Sequence, residues 1–351
     1  MKQNASILAI DVGNTLTKIG LVSKDCSNVL GRGDALSNSS DQGRGDALSN
    51  SSAQGRGDAL NHSSALGRGD ALNHSSDQGR DGDQNRNPDQ NRNPDQNRNP
   101  DQNRNPDQNR NGAQRHSSSQ HCIIATWECA TRASLTSDEA RMVLSGFLEN
   151  SQPEDGIISC VVPNLTTVWK HAVSEALTCR PLVVGPGLKT GLRMHFNDPA
   201  EVGPDRIADV VAARHLYGSP LVVVDLGTST SFAVINKDGD YVGGLIASGL
   251  ELSARALSQA AARLPVIDVV RPSKVIGKST KEAMQSGFVL GEAARIDGLL
   301  RAIWSELGYE TSVVVTGESA SAIVELLSIK SNVEEALTLQ GLSLLYDLNR
   351  S

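Results

Sequence analysis

Aromatic side chains are scarce, with 4 Phe, 3 Trp and 4 Tyr in 351 residues, and none lies between Asn28 and Gln120. A stretch without aromatic anchors and with little else to bury cannot offset the entropy of ordering its chain. Cysteine is sparse too: Cys26, Cys122, Cys129, Cys160 and Cys179 fall at irregular intervals, with no Cys-x-x-Cys. That spacing excludes a disulfide framework or a zinc ribbon, and reduced thiols are the expectation. No apolar run reaches the ~18 residues of a membrane helix. The four apolar residues Ile7 to Ile10 that follow the N-terminus are too few for a signal peptide. The expected location is cytoplasmic. An excess of basic charge is also missing, since the formal net charge is -7. The chain therefore carries no electrostatic footprint for nucleic acid or an anionic membrane, and neither partner is expected.

The charge average mixes two materials. Residues 28–120 hold 11 Arg against 12 Asp and consist of tandem repeats. Gly-Arg-Gly-Asp-Ala-Leu begins at Gly31, Gly43, Gly55 and Gly67, and Asp-Gln-Asn-Arg-Asn-Pro then recurs from Asp83 to Pro106. Such periods are too short for a helical solenoid, and no apolar ladder supports a β-helix. The segment reads as a disordered, low-complexity surface loop inserted into an ordered half. Long insertions of this kind are tolerated because closure entropy grows only logarithmically with length. An integrin-like use of Arg-Gly-Asp, or RNA contact through the spaced arginines, finds no support in an export signal or in net charge.

Two segments outside the insert resemble each other: Ile7-Leu-Ala-Ile-Asp11-Val-Gly13-Asn-Thr15 and Leu221-Val-Val-Val-Asp225-Leu-Gly227-Thr228-Ser-Thr230. Each runs from an apolar strand into a carboxylate, a glycine and a hydroxyl-bearing turn. One Asp-x-Gly is weak evidence, because both residues punctuate turns everywhere. Two copies on matching strands predict paired hairpins whose backbone N–H groups and Thr hydroxyls face phosphate oxygens, with each carboxylate able to hold a cation or its water shell. The chemistry this suggests is phosphoryl transfer.

With the insert set aside, the pattern alternates strands and helices. Strands are expected at 7–10, 17–22, 123–127, 156–162, 182–184, 221–225, 231–236, 241–245 and 312–315. Helices are expected at 137–148, with Ser137 as N-cap, and at 165–177, 252–264 and 279–307. A further helix opens at Gly203-Pro204-Asp205-Arg206 and ends at Tyr217-Gly218. A mixed sheet with helices, built twice, is an α/β architecture with a cleft between its halves.

Several segments, in order and spacing, resemble type III pantothenate kinase. They are Asp11-Val-Gly-Asn-Thr15, Gly185-Pro-Gly-Leu-Lys-Thr-Gly-Leu, Asp198-Pro-Ala-Glu-Val-Gly-Pro-Asp-Arg206, Asp225-Leu-Gly-Thr-Ser-Thr230, Gly243-Gly-Leu-Ile-Ala, Leu264-Pro265 and Ile276-Gly-Lys-Ser-Thr280-Lys-Glu-Ala-Met-Gln-Ser-Gly287. The likeness covers nearly all of the body and omits the insert. It implies two duplicated ribonuclease-H-like (actin-like) halves. The first would comprise 1–27 and 121–200, interrupted by the insert, and the second 201–351, including dimerisation helices. It also implies ATP-dependent phosphorylation of pantothenate, the first step toward coenzyme A, in a homodimer using Mg2+ and K+ or NH4+.

Residue by residue, the resemblance assigns Asp11, Val12, Gly13, Asn14, Thr15, Leu16, Thr17 and Lys18 to a first phosphate loop and Thr228 to a second ATP contact. Asp225 would bind the monovalent cation, and Asp11 is the candidate for Mg2+ through water. Gly203, Pro204, Asp205 and Arg206 would line the pantothenate site together with Phe196 and Thr280, with Asp205 as proton acceptor. Relatives commonly carry Tyr at Phe196, Asp at Ala233, Pro at Ser248 and Gly at Glu318.

On physical grounds Asp205, in a helix's first turn, is favoured in its ionised form by the helix dipole, so no strongly raised pKa is expected. Arg206 could fork onto a carboxylate or phosphate, or form a surface ion pair. Lys18 could reach phosphate or solvent, and Thr280 could also serve as an N-cap. Three other readings stay open: a catalytically weak or inactive relative acting as a transcriptional accessory protein, a kinase for another hydroxyl substrate, and an interaction protein built around the repeat loop.

Overall fold

The structure, a computed structural model, describes residues 6–23, 122–149 and 151–350. The repeat segment 28–120 lies outside the described residues. The first sheet holds β1 (Ser6–Val12), β2 (Leu16–Ser23), β3 (Cys122–Ala130), β4 (Asp155–Cys160) and β5 (Leu182–Val183), in the order β3-β2-β1-β4-β5. The second holds β6 (Leu221–Leu226), β7 (Ser229–Ile235), β8 (Tyr241–Ser248), β9 (Ser312–Thr316) and β10 (Asn332–Val333), in the order β10-β9-β6-β7-β8. Each sheet is a three-stranded antiparallel meander whose first strand pairs in parallel with its fourth. The two orders are the same when each sheet is numbered from its own first strand. The chain is thus an α/β protein of two duplicated ribonuclease-H-like halves.

Among the described residues seven α-helices join these strands: α1 (Ser137–Leu148), α2 (Pro163–Leu177), α3 (Pro204–Tyr217), α4 (Leu250–Ala260), α5 (Thr280–Leu307), α6 (Ala320–Val324) and α7 (Leu337–Arg350). Strand periodicity decides where they pack. In β1, Ile7 and Ala9 enter an inner core shared with Ala208 and Ala212 of α3 and Leu342 and Leu345 of α7. Leu8, Ile10 and Val12 point the other way, onto Leu144 and Trp169 of α1 and α2. In β6, Leu221 and Val223 join the inner core, while Val222, Val224 and Leu226 meet Ile296 and Leu300 of α5. Two continuous apolar runs therefore serve strands covered on both faces, and α3 and α7 share the core that both sheets line.

Close approach of α3 and α7 depends on Gly341, where a Cβ would stand 1.9 Å from the Ala208 carbonyl oxygen. α7 also packs on β1, β2 and β4, so the last helix of the chain belongs spatially with the first sheet. Neither α6, α7 nor β10 is anticipated by the sequence pattern. Within α1 the N-cap is Thr136 rather than Ser137. Its hydroxyl accepts from Glu139 N, and the Glu139 carboxylate accepts from Thr136 N at 2.8 Å, a reciprocal box contributing about 1 kcal/mol. α5 is likewise capped by Ser279, which leaves Thr280 as its first helical residue.

Cys129, Cys160 and Cys179 are free, but Cys122 is disulfide-bonded, against the expectation of reduced thiols throughout. Cys122 opens β3 opposite Ser23, the last residue of β2, where the chain leaves and re-enters the sheet. No helix among the described residues is long and apolar enough to cross a membrane.

Candidate active site

The alternation that builds β1 and β6 also aims their carboxylates. Residues 7 and 9 face the inner core, so Asp11 continues on that face, and Asp225 continues the face of Leu221 and Val223. Beyond each carboxylate the strand turns back. Gly13 N donates to Leu16 O at 3.0 Å, and Gly227 N donates to Ser229 O at 3.1 Å. The two turns meet: Thr15 Oγ1 and Thr228 Oγ1 are 2.7 Å apart. Asp11, Gly13, Asn14, Thr15, Leu16 and Lys18 line one wall of a single cleft, and Asp225, Gly227, Thr228 and Ser229 line the other.

α3 supplies the floor. Gly203 is its N-cap and Pro204 its first residue, which fixes φ for the helix and forgoes an N–H that would be unbonded there. Asp205 follows, and its Oδ1 accepts from Arg206 N at 2.8 Å. One turn later Asp209 is 3% exposed and accepts from Thr338 Oγ1 at 2.7 Å. Four residues apart on a helix, the two carboxylates lie on one face, and both line the cleft. From β9, Gly317 brings backbone against Asp225. Its φ is +98°, and a Cβ there would lie 2.6 Å from Asp225 Oδ1, so no other residue fits.

Four carboxylates in one buried groove resist ionisation. Burial, then the charges of Asp205 and Asp225, push Asp11 up to about 7. Burial and Asp205 push Asp225 up to about 7, against the pull of Lys18. Asp209 is raised well above its ordinary value by burial and by Asp225. Asp205 is raised as well, chiefly by burial, with the Arg206 backbone N–H and guanidinium pulling the other way. The helix dipole therefore does not decide its state; loss of water does.

The Asp11 Oδ1 atom is buried without a hydrogen-bond partner. A groove rich in carboxylates, one of them with an unsatisfied oxygen, suits hard cations. No group of three or more His, Cys, Asp or Glu among the described residues is arranged to hold a metal by itself.

Other candidate residues distribute unevenly. Val12 is buried in the outer core and Thr17 hydrogen-bonds Thr131 at 2.8 Å, so both side chains face away from the cleft. Lys18 lines the cleft and pairs with Glu128 at 3.7 Å. Phe196 stacks edge-on against Tyr241 with ring centroids 4.8 Å apart. Thr280 is exposed at the start of α5 and is not among the cleft-lining residues. Ala233 is buried in the inner core, away from the cleft, whereas Glu318 lines it. Asp209 and Thr338 escape a reading of motifs. The i, i+4 spacing from Asp205 was available as a signal for the first, and nothing local signals the second.

Comparison with known proteins decides which family this groove serves. The family model for type III pantothenate kinase matches residues 116–302. The chain belongs to the type III pantothenate kinase family. A type III pantothenate kinase of Dehalococcoides mccartyi is 40% identical over 234 residues, covering 65% of this chain and 91% of that protein. Among solved structures, the ethanolamine utilization protein EutJ of Carboxydothermus hydrogenoformans is similar at TM-score 0.43 and 11% identity, over 98% of this chain and 90% of that one. The inorganic polyphosphate/ATP-glucomannokinase of Arthrobacter sp. strain KM is similar at TM-score 0.38 and 11% identity, over 98% of each chain.

Proposed function

We propose that the cleft transfers the terminal phosphoryl group of ATP to the primary hydroxyl of pantothenate with Asp205 as proton acceptor. Membership of the family gives the overall reaction, ATP-dependent phosphorylation of pantothenate toward coenzyme A. The observation that carries the assignment of roles is the meeting of the two glycine–threonine turns above Asp205 in one groove.

In this reading the 11–18 hairpin and Thr228 hold the triphosphate through backbone N–H groups, hydroxyls and Lys18. Asp225 binds K+ or NH4+, and Asp11 holds Mg2+ through water. A bound cation there supplies charge neutralisation among the carboxylates and the phosphate oxygens. Pantothenate lies along Gly203, Pro204 and Phe196, with its carboxylate paired to Arg206 or to Thr280. Because the transition state of phosphoryl transfer is loose, little activation of the alcohol is needed, and the work of Asp205 is to aim it and take its proton late. Its raised pKa brings it closer to the pH of reaction, where a base is most effective.

A homodimer completes the site in this reading. Ile246, Val275 and Ile276 are 64%, 74% and 81% exposed on the β8 and pre-α5 surfaces, and covering them is favourable. Thr280 stands on the helix that follows two of these residues, which fits a site finished by a partner.

The test is an ADP-release assay with pantothenate, Mg2+ and K+ on the wild type and on Asp205→Asn. The substitution is expected to lower kcat by at least about 100-fold with the fold intact. Equal rates would remove Asp205 from the mechanism. No release by the wild type would favour a regulatory relative of the family.

A further inference from the structure

Behind the second phosphate turn lies a buried polar cluster that phosphoryl transfer itself does not use. Glu292, in the middle of α5, is 5% exposed, and its Oε1 accepts from Thr230 Oγ1 at 2.6 Å. Its other oxygen is ion-paired with Arg295. Arg295 Nη2 donates to Thr230 Oγ1 at 3.2 Å and to the Ser248 carbonyl at 2.8 Å. Thr230 is 1% exposed, and its hydroxyl both donates and accepts, so the circuit of carboxylate, hydroxyl and guanidinium is closed.

The circuit grips both chain segments that frame Thr228. Thr230 pairs with Leu226 across the β6–β7 hairpin and so shuts the 227–229 turn from below. Ser248 precedes Gly249, whose N–H donates to the Thr228 carbonyl at 3.0 Å. Moving Arg295 or Glu292 would therefore shift Thr228 from two sides. A buried ion pair is a weak source of stability, because apolar residues of similar volume do as well or better. What it supplies here is direction: charge-assisted hydrogen bonds fix the geometry of the groups they join, which non-directional apolar packing does not. Asp297, one turn further along α5, is a contrast. It accepts from Ser328 N, Ser328 Oγ and Ile329 N, and so only ties a loop to its helix, away from the turn.

We propose that Glu292 and Arg295 are positioning residues for the nucleotide site, holding the Thr228 turn in register through Thr230 and Ser248. The inference rests on the reading that Thr228 contacts ATP. The experiment is steady-state kinetics of the full chain, with ATP and pantothenate varied separately, for Thr230→Val, Thr230→Ser, Glu292→Gln and Thr228→Ala, with thermal melting of each.

Thr230→Val, which removes both hydrogen bonds, is expected to raise the KM for ATP on the order of 10-fold, leaving that for pantothenate within about twofold. Thr230→Ser keeps the hydroxyl and restores both constants. Glu292→Gln, which keeps an acceptor but loses the charge, falls between. Should Thr230→Val fail to fold, Glu292→Gln carries the decision alone. A rise in the KM for ATP with Thr228→Ala but not with Thr230→Val or Glu292→Gln overturns the positioning role. A Thr228→Ala protein with unaltered ATP kinetics overturns the underlying reading of the turn instead. Loss of melting temperature with both KM values unmoved shows a purely structural cluster and also refutes the proposal.

Discussion

The two halves share a strand order and an Asp-x-Gly turn, yet they brace that turn in different ways. In the first half the turn leans on the edge strand: Thr17 bonds Thr131 at 2.8 Å, and Lys18 pairs with an exposed Glu128 at 3.7 Å. In the second half the turn leans on a long helix, through the buried carboxylate of Glu292 and the half-buried guanidinium of Arg295. Neutral hydroxyls and an ion pair with an exposed carboxylate tolerate small adjustments, whereas a closed circuit built on the buried Glu292 and Thr230 does not. Duplication has thus yielded one compliant wall and one stiff wall around the same groove. A cleft that receives ATP can use that asymmetry, with the stiff turn setting the register and the other adjusting to it.

The comparison is broken most strongly at the carboxylates. If the halves do different work, Asp225→Asn and Asp11→Asn should each lower kcat about 100-fold but respond to different ions, a loss comparable to removing one preorganised electrostatic partner of a transition state. Titration with K+ should lose its effect in Asp225→Asn, and titration with Mg2+ should shift in Asp11→Asn. Identical ion profiles in the two variants would erase the division of labour.

A second effect concerns both carboxylates together. In the folded chain Asp11 and Asp225 keep their protons up to about pH 7, whereas in the unfolded chain they release them near the ordinary value of 3.8. Between those limits these two groups bind more protons in the folded state, so their contribution to stability falls as pH rises from about 4 to about 7. Melting temperature without added cations should therefore be higher at pH 5 than at pH 8. Mg2+ and K+, which bind the ionised groups, should recover more of it at pH 8 than at pH 5. A flat profile would mean that the groove is wetter than its burial indicates.

How far the sequence foretold these walls differs in the same sense. Strand identity and the inward aim of Asp11 and Asp225 were readable, because both follow from a two-residue period and a repeated Asp-x-Gly. Helix α3 was readable from Gly203-Pro204 at its start and Gly218 at its end. What stayed hidden depends on contacts between distant segments. Asp209 matters through Thr338, 129 positions away, and Thr230 meets Glu292 across 62. The raised state of Asp205 follows from burial, which a helix-terminus argument cannot see. α7 carries no cap or turn signature strong enough to announce that it returns to the first sheet.

On the compliant wall the expected effects are small. Thr131→Val deletes the part-buried partner of Thr17, which is 1% exposed, and leaves one hydroxyl unsatisfied. A cost of about 1 kcal/mol in denaturant unfolding is expected, with the KM for ATP changed less than by Thr230→Val. An equal effect of the two on ATP would show that both turns are held with the same stiffness.

The weakest brace is the Lys18–Glu128 pair. Glu128 is 55% exposed on that strand, so water and salt screen the attraction, and its geometry is loose at 3.7 Å. Glu128→Gln should shift stability by less than about 0.5 kcal/mol. It should nevertheless free Lys18, which lines the cleft, to turn fully toward phosphate. A slightly lower KM for ATP at low ionic strength, vanishing in high salt, is the expected signature. A higher KM would mean that Glu128 instead holds Lys18 in its working position, and the first wall would then be stiffer than its hydrogen bonds imply.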